Sequence, residues 1–157
     1  MACRFELQFG VRTNLLRLSL LSCVLLLGGG LTVLVGVQTM FSRDRSVAVD
    51  AAPILFDIFQ WIALALTSFA LLTSIGGYAF KRGKAASVAL LLSVGASAFV
   101  SFYVMPKMDH LQAIGESGSD AFKSLHGQSM IAVLGLLGGA LVATVLMGTL
   151  MTSKTRT

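Results

Sequence analysis

Long apolar runs alternate with short polar stretches along this chain. Three runs contain no Asp, Glu, Lys or Arg, and a fourth contains one, Asp57, close to its start. About 20 apolar residues are enough for a helix, rising 1.5 Å per residue, to cross the hydrocarbon of a bilayer. Buried helices of a soluble protein would need a polar outer face, which these runs lack. The pattern predicts an all-α integral membrane protein, a single membrane domain over residues 1–157 with spans at about residues 18–41, 54–80, 85–105 and 130–151.

Composition agrees with this prediction. Hydrophobic residues make up 55% of the chain and charged residues 12%, whereas soluble domains carry about 25% charged residues. The first apolar run is longer than the roughly 7–15 apolar residues of a signal peptide, and no A-x-A cleavage site follows it. We therefore interpret it as an uncleaved span.

The basic residues are unevenly distributed between the two sides that four spans would create. The N-terminal tail, the connection at residues 81–84 and the C-terminal tail share one side, with eight basic residues and one acid. The other side has four basic residues and six acids. The positive-inside rule predicts that both termini are cytoplasmic. We expect a multi-pass protein of the cell membrane, such as a bacterial inner membrane, whose net charge of +5 reflects topology and not nucleic-acid binding.

Small residues recur at four-residue spacing in the spans. Because lipid provides no hydrophobic drive for helices to associate, small residues favour close packing of their backbones. The short connection at residues 81–84 makes the second and third spans neighbours, so we expect an antiparallel four-helix bundle. Besides the lipid bilayer, a homo-oligomer or another membrane protein remains open as a partner. The candidate packing residues are Gly28, Gly36, Ser93, Ser97, Gly135 and Gly139.

A polar outer segment, residues 106–129, separates the last two spans and contains both histidines of the chain. Pro106 disfavours helical geometry at Met105 and removes a backbone donor, so the third span is expected to end or kink there. An S-x-x-D sequence at residues 117–120 is a helix start signal and predicts that the last helix begins near residue 118.

Each span places polar groups at a similar depth near this segment. An ionisable residue within a span is costly without a partner, so Asp57 is a functional candidate. We expect an inward Asp57 to be offset by donors from neighbouring spans. The alternative is that Asp57 and His126 are ordinary solvated residues of the interface. The candidate polar cluster consists of His126, Asp57, Gln60, Lys107 and Ser129.

Two short motifs carry a resemblance to a known family. A Pro-Lys pair at residues 106–107 follows the third span, and Phe122, His126, Gly127 and Ser129 form a Phe-x-x-x-His-Gly-x-Ser motif before the fourth. Together with the four-span order, these motifs resemble a four-helix membrane family of unknown function that includes eukaryotic transmembrane protein 205 and its bacterial relatives. Members often have an Asn shortly after the Ser, which this chain lacks. The resemblance implies a fold and a membrane location, but no reaction.

Three functions are compatible with these features. The first, which we favour, is a non-enzymatic binding or accessory module with the polar cluster at the outer mouth of the bundle. The second is a redox protein that binds haem or a metal through His126 and His110, although no Cys or third His lies near them. The third is an oligomeric component for transport of a small solute or ion. No G-x-S-x-G or H-E-x-x-H sequence occurs, so hydrolytic chemistry has little support. We favour a protein that is not an enzyme, and we predict no cofactor for it.

Overall fold

The computed structural model describes residues 2–75 and 81–152. Residues 76–80 and 153–157, which include the end of the second predicted span and the basic residues of the C-terminal tail, lie outside the described residues. The described part is all-α, and four of its helical stretches are long and apolar enough to cross a membrane, as the sequence predicts. The elements are α1 (Ala2–Arg43), α2 (Arg45–Ser74), α3 (Lys81–Phe99), a π-helical segment (Val100–Val104), α4 (Met105–Ala113) and α5 (Asp120–Thr152).

Helix α2 begins at Arg45 because Asp44 caps it. The backbone of Asp44 is extended, and its Oδ1 accepts hydrogen bonds from the backbone N–H of Ser46 at 2.9 Å and of Val47 at 3.4 Å. The Ser46 hydroxyl also donates to this carboxylate, and these bonds lower the pKa of Asp44. Their stabilisation is present above the pKa of Asp44 in the unfolded chain and is lost as the pH falls through its lower folded pKa.

The chain stays helical through Pro106, so the third span does not end there, which was one of the two outcomes expected from the sequence. Met105 has φ −58° and ψ −49°, and its N–H bonds to the carbonyl of Val100, five residues back. In a regular α-helix the Pro106 ring would clash with the carbonyl of Phe102, four residues earlier. The wider π turn replaces the i to i−4 hydrogen bonds at this point and avoids the clash. Pro106 then lies in the first turn of α4, where the absence of its N–H costs little.

Contacts of α1 with α2, α2 with α3, α3 with α5 and α5 with α1 connect the four long helical stretches, an arrangement compatible with a membrane bundle. One core cluster lies around Leu16, Cys23, Leu90 and Met147. A second cluster contains Leu26, Phe59, Ala63, Leu136 and Ala140.

The backbones of α3 and α5 come close together at Gly139. A Cβ added to Gly139 would collide with the Ser93 hydroxyl and would lie 2.8 Å from the backbone oxygen of Ala89. The buried Ser93 hydroxyl donates across the contact to the backbone oxygen of Leu136 at 3.0 Å. We call these four residues, Ala89, Ser93, Leu136 and Gly139, the α3–α5 seam. Ser97, one turn further along α3, is also buried.

The other three glycines proposed as packing residues do not lie at a helix contact among the described residues. A Cβ on Gly28, Gly36 or Gly135 would meet none of the described atoms within 4 Å. Because four residues exceed one turn of 3.6, a stripe with four-residue spacing drifts around the helix and leaves the contact face. Gly30 occupies the contact instead, where a Cβ would lie 2.9 Å from Leu137 and 3.2 Å from Phe59.

Candidate functional site

A cavity of about 510 Å³ lies where α1 ends, α2 begins and α4 meets α5. Its volume is within the range of roughly 300–1,000 Å³ that is usual for small-molecule sites. Much of its lining is apolar, with Phe41 from α1, Phe56 from α2, Val100 from the π-helical segment, and Phe122 and Val133 from α5. The end of the helices that carries this cavity is called the cavity end below.

The polar lining comes from three helices, two residues from each. The structure brings four members of the sequence-predicted cluster to one cavity, and the fifth, Lys107, lies outside its lining. The Lys107 ammonium instead lies 3.8 Å from the centroid of the Tyr103 ring. The polar lining residues are Asp57 and Gln60 on α2, Asp109 and Gln112 on α4, and His126 and Ser129 on α5.

Gln60 is the deepest of these polar residues. Its side chain is only 2% exposed, and among the described residues its Oε1 has no hydrogen-bond partner. The backbone oxygen of Gln60 accepts a bond from Ser97 at 3.5 Å, but the side-chain amide oxygen does not. A buried acceptor without a donor costs about 1–3 kcal/mol, so Gln60 is a destabilising residue unless something else provides a donor.

The carboxylates of Asp57 and Asp109 are exposed at the cavity. Among the side chains that the structure describes, neither has an ion-pair partner, and the ion pair found there is between Lys123 and Asp120 at 3.2 Å. His126 is also exposed, and the described contacts include no hydrogen bond from its ring to Asp57 or Gln60. The Ser129 hydroxyl donates to the backbone oxygen of His126 at 2.7 Å. The cluster shares one cavity, but its members are not linked into a network.

The motif residues have different surroundings. Phe122 lines the cavity, and its N–H donates to the Ser119 hydroxyl at 3.2 Å, so Ser119 and not Ser117 caps the start of α5 at Asp120. Pro106 is exposed and outside the cavity lining. Gly127 is exposed, with no described atom within 4 Å of an added Cβ. Among the described residues, no neighbouring helix approaches Gly127 closely.

Sequence reasoning missed the contribution of α4 to the cavity. Met105, Met108, Asp109 and Gln112 all line it. Their spacing is i, i+3, i+4 and i+7, which places them on one face of a helix. That periodicity is visible in the sequence and could have identified this face.

Only one of the two histidines, His126, is among the residues that line the cavity. His110 is exposed on α4 and lies outside the lining of the cavity that His126 borders. In the described part of the chain there is no group of three or more His, Cys, Asp or Glu residues that could hold a metal ion.

One comparison with known proteins identifies a family. A family model described as DUF4149, a domain of unknown function, matches residues 21–117. The match includes Asp57, Gln60 and Asp109, whereas α5 with His126 lies beyond it. It gives no specific link to transmembrane protein 205. No curated protein and no solved structure matches the chain.

Proposed function

The chain belongs to the DUF4149 family, whose function is unknown, and we propose that it is a non-enzymatic membrane protein that binds an amphipathic molecule in the cavity between α2, α4 and α5. Four helical stretches long and apolar enough to cross a bilayer suggest a membrane protein of uncharacterised activity. The proposal goes further and assigns that protein a binding site.

The observation that carries the proposal is Gln60, a buried residue of a largely apolar cavity lining whose Oε1 has no hydrogen-bond partner among the described residues. Water is scarce next to lipid, so buried polar atoms there need a partner from the protein or from a ligand. A ligand with an apolar body would cover the side chains of Phe56 and Phe122, and its polar end would reach Gln60. Apolar sites with a few converging polar groups are the usual form of small-molecule sites.

The proposal includes an antiparallel bundle with both termini in the cytoplasm. The Ser19 hydroxyl donates to the backbone oxygen of Ala70 at 2.8 Å, whereas Gly30 packs against Phe59. Later positions of α1 thus meet earlier positions of α2, which supports opposite directions for the two helices. The excess of basic residues on the tail side supports the orientation. The cavity then lies at the outer side of a cell membrane, such as a bacterial inner membrane.

Reporter fusions test this topology. Fusions after residues 46, 83, 115 and 157 are expected to report outside, inside, outside and inside, because eight of the twelve basic residues then lie inside. An outside result after residue 83 would contradict the arrangement.

Two finer assignments belong to the same proposal. A relation to the family that includes transmembrane protein 205 rests on the motifs at residues 106–107 and 122–129.

An oligomeric transport component is the second candidate function, supported by Gly28 and Gly135, which are exposed and leave room for another helix. Cross-linking in native membranes is expected to trap a homo-oligomer if this second candidate is right, and only monomer if it is wrong.

Ligand binding is tested with a tryptophan placed in the cavity lining. The chain has one tryptophan, Trp61, which is 49% exposed and lies outside the lining. The double variant Phe56→Trp, Trp61→Phe, called the cavity reporter, moves this fluorophore into the cavity, and Phe122→Trp in the same background is a second reporter for the opposite wall.

Brominated dodecanol, which quenches tryptophan on contact, is then titrated into detergent-solubilised protein. The proposal expects saturable quenching of the cavity reporter. Quenching of Trp61 in the parent protein measures how much brominated dodecanol partitions into the surrounding micelle. It should rise in proportion to the concentration of brominated dodecanol. Proportional quenching of both fluorophores, with both reporters folded as judged by their thermal midpoints, would refute a binding cavity.

A further inference from the structure

We propose that the cavity binds a cationic amphiphile, a molecule with an apolar body and a primary ammonium head that is held by Asp57, Asp109 and the Oε1 of Gln60. This inference rests on the proposed function and adds the chemical class of the ligand.

The first observation is the charge of the lining. Asp57 and Asp109 come from two different helices, and no Lys or Arg lines the cavity within the described residues. The lysines of the adjoining segments have other contacts: Lys107 lies against the Tyr103 ring and Lys123 pairs with Asp120. His126 offsets one of the two carboxylates at most. Carboxylates at a largely apolar cavity are stabilised by a cation, and no Lys or Arg of the described lining provides one.

The second observation is independent of charge. Gln60 is buried and its Oε1 accepts no hydrogen bond from the described residues. Gln60 follows Asp57 by three residues, so both lie on one face of α2. A primary ammonium has three donors and can bond to a carboxylate and to this amide oxygen together. A carboxylate or phosphate head has no such donor and would be repelled by both aspartates.

The third observation concerns the body of the ligand. Three methionines, Met105, Met108 and Met130, line the cavity beside Ile54 and Phe122. Methionine side chains are flexible and polarisable and adapt to differently shaped apolar partners. The lining therefore selects for the head group, and it tolerates either an alkyl chain or a ring system as the body.

The test compares three probes that share one chain and differ in the head group: brominated dodecylamine, dodecanol and dodecanoate. With the cavity reporter, dodecylamine is expected to bind at least about tenfold more tightly than dodecanol, a difference of about 1.4 kcal/mol, and dodecanoate most weakly. Equal affinity for the amine and the alcohol, or tightest binding of dodecanoate, overturns the head-group assignment and leaves the proposed function standing. Proportional quenching by all three overturns both.

Carboxylate variants provide the matched controls. Asp57→Asn and Asp109→Asn, combined in the cavity reporter, are expected to remove the preference for dodecylamine and to keep saturable binding of dodecanol, which shows that the fold survives. Asp120→Asn removes an equal charge from an exposed site outside the lining. An equal loss of preference with Asp120→Asn would attribute the effect to the general surface charge and overturn the assignment.

An ammonium head can come from a lipid or from a free amine, and nanodiscs distinguish the two sources. Phosphatidylcholine is a suitable comparison because its quaternary ammonium cannot donate to Gln60. Stronger quenching by brominated phosphatidylethanolamine than by brominated phosphatidylcholine identifies a lipid head group. Equal quenching by the two lipids, with the amine preference intact, identifies a free amphipathic amine.

Discussion

Helix α5 takes part in both the α3–α5 seam and the cavity end, but the two regions are packed to different degrees. At the seam, Gly139 and Ser93 let the two backbones come close, and a Cβ added at Gly139 would lie 2.8 Å from the backbone oxygen of Ala89. At the cavity end, Val100 and Met105 on one side and Phe122 on the other leave a space of about 510 Å³. The π-helical segment Val100–Val104 lies between the two regions. Small residues close the bundle in one region, and large ones hold it open in the other.

The two regions also differ in how buried polar atoms are satisfied. At the seam the Ser93 hydroxyl donates to the backbone oxygen of Leu136, and outside the seam the hydroxyls of Ser74 on α2 and Ser87 on α3 are 2.7 Å apart. Towards the cavity end, two buried side-chain atoms of the described residues lack a partner: the Oε1 of Gln60 and the hydroxyl of Ser101. One of these two atoms, the Oε1 of Gln60, belongs to a residue that lines the cavity.

The largest effect is expected at the seam. Gly139→Leu should lower the free energy of unfolding by about 3 kcal/mol, because the new side chain overlaps Ser93 and the backbone of Ala89. Gly138→Leu is the matched control, since a Cβ at Gly138 meets no described atom within 4 Å. Thermal midpoints in detergent measure both. A parent-like midpoint for Gly139→Leu would show that this face of α5 meets lipid instead of α3.

An effect of opposite sign is expected at the cavity end. Gln60→Met should raise the stability of the ligand-free protein by about 1 kcal/mol, because it replaces an unpartnered buried amide with an apolar side chain of similar size. Gln112→Met, an exposed amide of the same cavity, should stay within about 0.5 kcal/mol of the parent. Destabilisation by Gln60→Met would show that the amide already has a partner in the folded protein.

A smaller loss is expected from the interhelical hydrogen bond of the seam. Ser93→Ala removes the bond to Leu136 and should cost about 0.6 kcal/mol, and no more than about 1.7 kcal/mol. Ser129→Ala serves for comparison, since its hydroxyl bonds within its own helix and its loss should be nearly neutral. If the two substitutions had equal effects on the free energy of unfolding, the bond across the seam would contribute nothing specific.

The smallest effect is expected within the polar cluster. Asp57→Asn and His126→Ala, measured singly and together, should be coupled by about 0.5 kcal/mol if the two side chains interact across the cavity. This is the low end for contacting residues, because both side chains are exposed. Asp57→Asn with His110→Ala is the control pair, since His110 lies outside the lining. Additive effects for both pairs would show that Asp57 and His126 share the cavity without interacting.

The four long helices could be predicted from the sequence, because apolar runs without charges determine them, but their ends could not. Helix α2 starts at Arg45, in a polar stretch that a search for apolar runs passes over. The wide turn before Pro106 was also hidden, since residues 100–104 are apolar like the rest of the span. From the four-residue spacing of glycines, we expected Gly28 and Gly36 at helix contacts. In the structure, Gly30 is the glycine among these three that lies at a contact.

The candidate site was predictable in part. Asp57 and Gln60 could be singled out because they are polar residues in an apolar run, and both line the cavity. Asp109 and Gln112 were missed because residues 106–129 were treated as one outer segment and not as a helix with an inward face. Lys107 was placed in the cluster by depth alone. Depth does not determine which way a side chain points around the helix, and Lys107 lies on Tyr103 instead.

The π-helical segment has a consequence for the length of the chain. A π turn contains one residue more than an α turn, and each helical residue turns the chain by about 100°. A homologue that lacked one residue within Val100–Val104 would have a regular helix there, and everything after it would be rotated by that angle. Met105, Met108, Asp109 and Gln112 would then face away from α5. The one extra residue of the π turn thus determines that this face of α4 points to the cavity. In a sequence alignment its loss would be a gap of one residue, which is easily overlooked.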